Sequence, residues 1–284
     1  MNADKIYITD CPRDAMQGIS HFIPTETKIE YLNQLLKVGF NVLDFGSFVS
    51  PKMVPQMANT SEVLAELNKQ NTSLLAIIAN LRGAQDACKF DKIDFLGFPL
   101  SVSETFQQRN TNKSISQAWD ELFKIQQLAQ ENNKKVKVYL SMGFGNPYGD
   151  EYNSDLLLKF TEKLLSFGIN DIIPSDTIGK ADANLVKTIY KDCITAFPEV
   201  NWGAHLHANY ENSSVLIDAV IDSNVKHIEG ALGGWGGCPF ADNDLVGNIP
   251  TEIIIDTISK KELPLDLDLE AFSLAEKMSK NIFN

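Results

Sequence analysis

The chain has 284 residues, 44% hydrophobic and 22% charged, and 25 Lys and Arg against 37 Asp and Glu leave a net charge of −12. That acidity gives no basic footprint for a nucleic acid, no apolar run approaches the roughly 18 residues of a membrane span, and four cysteines without a CxxC pair are too sparse for a disulfide framework. One domain over residues 1–284 is expected, because α/β barrels reach this length on one core, and an N-terminus that enters a strand without a basic and then apolar segment points to the cytoplasm.

Strand-like apolar runs alternate with amphipathic helical stretches throughout. Strands are predicted at residues 5–10, 41–47, 72–79, 93–99, 136–143, 169–174, 201–207 and 226–231, and helices at 27–38, 61–69, 116–131, 155–167, 184–197 and 213–222. The segment 83–90 is short for a helix and is the least regular unit. Residues 247–252 read as the start of an eighth helix, and 265–284 as one more amphipathic helix packed outside the rest. Eight strands each followed by a helix is the α/β pattern of a (β/α)8 TIM barrel. Loops at 47–59, 143–153 and 233–250, rich in Gly, Pro or Asn, fall at the carboxyl ends of strands, where a barrel gathers its active-site side chains.

Two imidazoles stand out at one such end, in Ala204-His205-Leu206-His207-Ala208. Alternation sends residues i and i+2 to one face, with Cα atoms about 6 to 7 Å apart, so both rings can meet one ion. A carboxylate from another strand end, such as Asp14 of the Arg13-Asp14 pair, could close the site. The loop Gly233-Gly234-Trp235-Gly236-Gly237-Cys238-Pro239 can close over a ligand. Its Cys238 reads either as a passive thiol or as a group that moves a proton, and Asn248 either as a helix cap or as a ligand. Cys11, Cys88 and Cys193, set among apolar neighbours, read as small buried residues.

Cys11-Pro12-Arg13-Asp14-Ala15-Met16-Gln17, Ser47-Phe48-Val49-Ser50-Pro51-Lys52, Ser175-Asp176-Thr177-Ile178-Gly179, His205-Leu206-His207, Gly236-Gly237-Cys238-Pro239 and Gly247-Asn248 follow one another in the order seen in 3-hydroxy-3-methylglutaryl-CoA lyases. By these motifs nearly the whole chain resembles that family. The resemblance implies a divalent metal, Mg²⁺ or Mn²⁺, on Asp14, His205, His207 and Asn248. It implies catalytic roles for Arg13, Cys238, His205 and Asp176, and substrate contacts at Gln17, Asp44, Lys52, Arg82, Ser103 and Asn110. Without it, Asp176 reads as a turn residue and the cations, Arg109 among them, as solvated surface. It further implies a homodimer acting on a small-molecule acyl-CoA, cleaving it to acetyl-CoA and acetoacetate by a retro-Claisen reaction, as in leucine degradation or ketone-body formation.

Several positions depart from the family pattern. Thr9 stands where a glutamate is usual, Asp44 is shorter than the usual glutamate, Ala208 replaces an aspartate, and Ala15-Met16-Gln17-Gly18 replaces Gly-Leu-Gln-Asn. Each lost acid is expected to remove a partner that steadies a ligand. The alternatives are a lyase or condensing enzyme for another 3-hydroxyacyl-CoA, and a weakly catalytic paralogue that binds metal or CoA.

Overall fold

A parallel sheet covered on both sides needs strands apolar on both faces and a crossover helix between each pair. The computed structural model, which describes residues 5–237 and 246–283, has both. Its strands β1 (Tyr7–Asp10), β2 (Val42–Ser47), β3 (Ser73–Ile77), β4 (Ile93–Ser101), β5 (Lys135–Ser141), β6 (Asp171–Pro174), β7 (Asn201–His205) and β8 (His227–Gly230) close in sequence order into a parallel barrel. The closing seam sets Tyr7 against His227, Thr9 against Glu229 and Asp10 against Gly230. The helices are α1 (Pro12–Gln17), α2 (Thr25–Val38), α3 (Thr60–Ala65), α4 (Leu81–Ala87), α5 (Glu104–Thr111), α6 (Ile115–Glu131), α7 (Ser154–Ser166), α8 (Ala183–Ala196), α9 (Tyr210–Asp222), α10 (Thr251–Lys260) and α11 (Leu269–Phe283).

Period-two alternation divides each strand between two apolar layers. On β5, Val136, Val138 and Leu140 join the large core between sheet and helices. Tyr139 instead joins Val42, Leu75 and Ile173 in a separate cluster that fills the lumen. Side-chain caps place the helix starts: Asn80, Ser103, Ser114, Asn153 and Asp182 each accept a backbone N–H three residues on, and Ser114 with Gln117 forms a full capping box.

The eight-unit barrel matches the sequence pattern, with three local differences. The irregular third unit is a helix that starts at Leu81, held close because Gly83 carries no side chain: a Cβ there would lie 2.5 Å from the Phe48 carbonyl oxygen. Two short helices, α1 and α5, were not foreseen. Strand β7 ends at His205, so His207 lies beyond it and not within a strand of 201–207.

Helix α11 packs outside the barrel against α2: the Tyr31 and Phe283 rings meet edge-on with centroids 6.0 Å apart, and Gln34 donates to the Ala271 carbonyl at 2.9 Å. It also reaches the loop after β8, where Phe283 stacks on Trp235 at 5.8 Å and Ser279 donates to the Leu232 carbonyl at 3.2 Å. No described helix is long and apolar enough to cross a membrane.

Candidate metal centre and active-site pocket

At the carboxyl end of β1 the chain turns directly into α1, with Pro12 in its first turn, where the fixed φ suits a helix and the absent N–H is not missed. The turn presents Arg13 and Asp14 side by side. Opposite them, His205 ends β7, and the next residues pair with the segment before α10. His207 and Asn248 form an antiparallel bridge, Ala208 N–H donates to the Gly247 carbonyl at 3.1 Å, and Ile249 N–H to that of Leu206 at 3.3 Å. This pairing, rather than strand alternation alone, brings the second imidazole and the amide together.

One ligand atom each from Asp14, His205 and His207 lie within 4.8 Å of one another. The Nε2 atoms of the two histidines are 3.3 Å apart, and adjacent ligands of an octahedral ion with bonds of about 2.1 Å sit about 3 Å apart. Asn248 donates its amide to Asp14 Oδ2 at 2.7 Å and to the Trp235 carbonyl at 2.8 Å. Both neighbours only accept, so Asn248 Oδ1 faces away from them, buried with no partner among the described residues. A carboxylate, two imidazoles and an unclaimed carbonyl oxygen make a donor set that suits a divalent cation.

The charge states of Asp14 and His207 suit such a set. Burial would raise the Asp14 carboxyl, but Arg13 and the two histidines outweigh it and hold the group well below the carboxylate range. Burial and the neighbouring His205 push His207 down to about 4, leaving it neutral at physiological pH. His205 moves the other way: burial lowers it, yet Glu229 more than compensates.

Glu229, which the sequence did not single out, is fully buried beneath the two imidazoles. Its Oε2 lies 3.2 Å from His205 Nδ1, and its Oε1 accepts from Lys137 Nζ and from the Tyr139 hydroxyl, both at 3.2 Å. Burial raises its carboxyl, but Lys137 and His205 draw it down to about 2. The available signal was a pair of opposite charges, Lys137 on β5 and Glu229 on β8, at alternate positions of strands whose other face is apolar.

A cavity of about 440 Å³ opens above these groups. Arg13, Asp14, His205 and His207 line it together with Gln17, Arg109 and Asn110. Val49, Met53, Val54, Ile77, Pro99 and Phe106 form an apolar wall. Arg13 is almost wholly buried: Nε and Nη2 donate to Asp44 Oδ2 at 3.0 and 2.6 Å, while Nη1 donates to Asp14 at 2.7 Å and Gln17 at 3.1 Å.

The remaining sequence candidates sit elsewhere. Asp44 lies behind Arg13, paired with its guanidinium, and is not among the residues that line the cavity. Asp176 points into its own turn, accepting from the Lys180 and Ala181 N–H groups at 2.9 and 2.8 Å. Its neighbours Ser175 and Thr177 line the cavity instead. Ser103 is fully buried as the α5 cap, donating to Asp150 at 2.5 Å. Lys52 and Arg82 are exposed and outside the lining. Cys238 lies outside the described residues.

A (β/α)8 barrel with a carboxylate, two imidazoles and a buried guanidinium converging at one cavity on its carboxyl-end face defines a barrel enzyme whose site can hold a cation. The chain belongs to the HMGL-like family, which it matches over residues 5–278. It is 30% identical to hydroxymethylglutaryl-CoA lyase YngG of Bacillus subtilis (strain 168), covering 94% of this chain and 89% of that protein. It is 29% identical to the cytoplasmic 3-hydroxy-3-methylglutaryl-CoA lyase of Rattus norvegicus, over 91% of this chain and 75% of that one. Among solved structures, an HMG-CoA lyase from A. baumannii in complex with coenzyme A and 3-methylmalate superposes with a TM-score of 0.92 at 27% identity, covering 100% of this chain and 92% of that one.

Proposed function

We propose that the chain cleaves 3-hydroxy-3-methylglutaryl-CoA to acetyl-CoA and acetoacetate. The observation that carries this reading is the convergence of Arg13, Asp14, His205 and His207 at the base of one cavity, in a chain whose relatives are named for that activity. Asp14, His205, His207 and Asn248 would hold the cation, Mg²⁺ or Mn²⁺, which when bound supplies Lewis acidity that favours loss of the tertiary hydroxyl proton.

The chain's own groups do the rest. Collapse of the alkoxide forms the ketone of acetoacetate, breaks the bond between C2 and C3, and moves its electron pair onto the thioester enolate. Arg13, lining the cavity and held by Asp44, Asp14 and Gln17, offers a permanent positive charge to the enolate oxygen. Cys238 is assigned the proton transfer, taking the hydroxyl proton and returning one to the enolate carbon. Gln17 and Asn110 line the cavity as candidate substrate contacts. Asp176 is best read as a group that shapes the β6 turn, so that Ser175 and Thr177 face the substrate. The resemblance extends the proposal to a homodimer, which sedimentation would register as twice the mass of one chain. The cytoplasmic expectation rests on the sequence, and cell fractionation tests it, since the chain resembles lyases named cytoplasmic and lyases named mitochondrial.

Steady-state assays with a panel of acyl-CoAs and Mg²⁺ or Mn²⁺ test the activity. Release of acetoacetate from 3-hydroxy-3-methylglutaryl-CoA is the expected result, and turnover confined to another thioester would reject it. In the same assay, Cys238→Ala should keep substrate binding and lose turnover by roughly 10²- to 10⁴-fold. Undiminished turnover removes Cys238 from the mechanism.

A further inference from the structure

The described residues brace the two imidazoles of the proposed metal site unequally. His207 Nδ1 is buried with no partner among the described residues, whereas His205 Nδ1 faces Glu229 Oε2 at 3.2 Å. We propose that Glu229 is a positioning residue that fixes His205 in the Nδ1–H tautomer and aims its bare Nε2 at Asp14 and His207, with Lys137 and Tyr139 locking the carboxylate from across the lumen. The part of this that concerns a cation rests on the metal-site reading above.

The argument is one of donors and acceptors. Glu229 Oε1 already accepts from Lys137 and Tyr139, and an ionised carboxylate has no proton to give. At Oε2 the imidazole must therefore be the donor, because a bare Nδ1 would set two lone pairs against each other in a site shielded from water. With its proton on Nδ1, His205 presents the Nε2 lone pair toward His207 Nε2, 3.3 Å away.

The topology explains why the carboxylate holds still. Glu229 sits on β8 next to His205 on β7, while Lys137 and Tyr139 belong to β5, on the other side of the barrel. Lys137 is 3% exposed and Glu229 fully buried, so neither charge can turn to solvent for a substitute partner. Tyr139 also lines the cavity and meets the His205 ring edge-on, with centroids 5.9 Å apart. The clamp therefore links the cavity wall to the imidazole.

Histidine ¹⁵N NMR on the metal-free protein reads the tautomer directly, and Mn²⁺ titration followed by electron paramagnetic resonance reads the aim. The wild-type His205 ring should be protonated on Nδ1. Glu229→Gln, which can turn its amide N–H toward the ring, should give mixed tautomers and weaken Mn²⁺ binding by roughly 10- to 100-fold. Glu229→Asp should restore part of both. Wild-type His205 carrying its proton on Nε2 overturns the proposal without any variant, as does a Glu229→Gln protein with unchanged tautomer and unchanged Mn²⁺ affinity. A wild-type protein with the Nδ1–H tautomer but no Mn²⁺ binding would reject the metal-site reading and leave the positioning role standing.

Discussion

His207 enters the site with less support than its neighbour. Its Nδ1 is buried and unpartnered among the described residues, and Ala208 beside it carries no group to pair with it. A polar atom left in that condition costs roughly 1–3 kcal/mol. That fits the loss foreseen where the family has an aspartate. The loss foreseen at Thr9 has a different outcome: Glu229, its register partner across the barrel seam, supplies a carboxylate to His205. Lumen-facing charges such as Glu229 and Lys137 were hard to read in the sequence because polar residues at alternate positions of a strand, as in HIEG and KVKVYLS, look like an ordinary solvent-facing side. The two lie 92 positions apart. At this scale, His207→Ala should abolish Mn²⁺ binding in an equilibrium titration while the protein stays folded. An affinity equal to wild type would place the cation elsewhere.

At the scale of elements, the site depends on the segment between β8 and α10 lying in close register with the loop after β7. Strand and helix periods could not reveal this, because the pairing of His207 with Asn248 is one isolated bridge between two loops. Helices α1 and α5 were equally hidden, at six and eight residues, too short to show a period. Longer elements such as α6, with its capping box and apolar stripe, were legible within a residue. Within the β8–α10 connection itself, residue 247 must be a glycine, because a Cβ there would fall 2.2 Å from the Gly234 carbonyl oxygen. Because the obstacle is backbone, Gly247→Ala must move residue 247 away from Gly234 and carry Asn248, its neighbour, with it. We expect a loss of about 1–3 kcal/mol in stability and weaker Mn²⁺ binding. Intact affinity in the same variant would show that Asn248 is not a ligand.

For the molecule as a whole, the barrel was readable because eight repeats of strand and helix leave few other topologies. Its buried titratable groups were not, and they set how the fold responds to pH. Burial lifts Asp10 from 3.8 to about 7 and Asp44 to about 6. The folded chain therefore holds protons there that the unfolded chain has released, and stability falls as pH rises through that window. Burial lowers His207 and His227 from 6.5 to about 4. Between those values the unfolded chain binds the extra protons, and stability falls as pH drops. Across about pH 4.5 to 6 these four groups pull two each way, so their slopes nearly cancel, with Asp171 and Asp176, also raised by burial, adding to the side of Asp10 and Asp44. Below 4.5 the balance ends, because Glu229 keeps its charge down to about 2 and Asp14 is held below its ordinary value as well, whereas both are protonated in the unfolded chain. Their contribution is fully present above 4.5 and is lost as pH falls toward 2. Urea melts of the metal-free protein should accordingly show a level stretch from about pH 4.5 to 6 and a steep decline beneath it. A stability that climbs steadily from pH 4.5 to 7 would mean that Asp10 and Asp44 are ionised in the fold, with the histidines alone setting the slope.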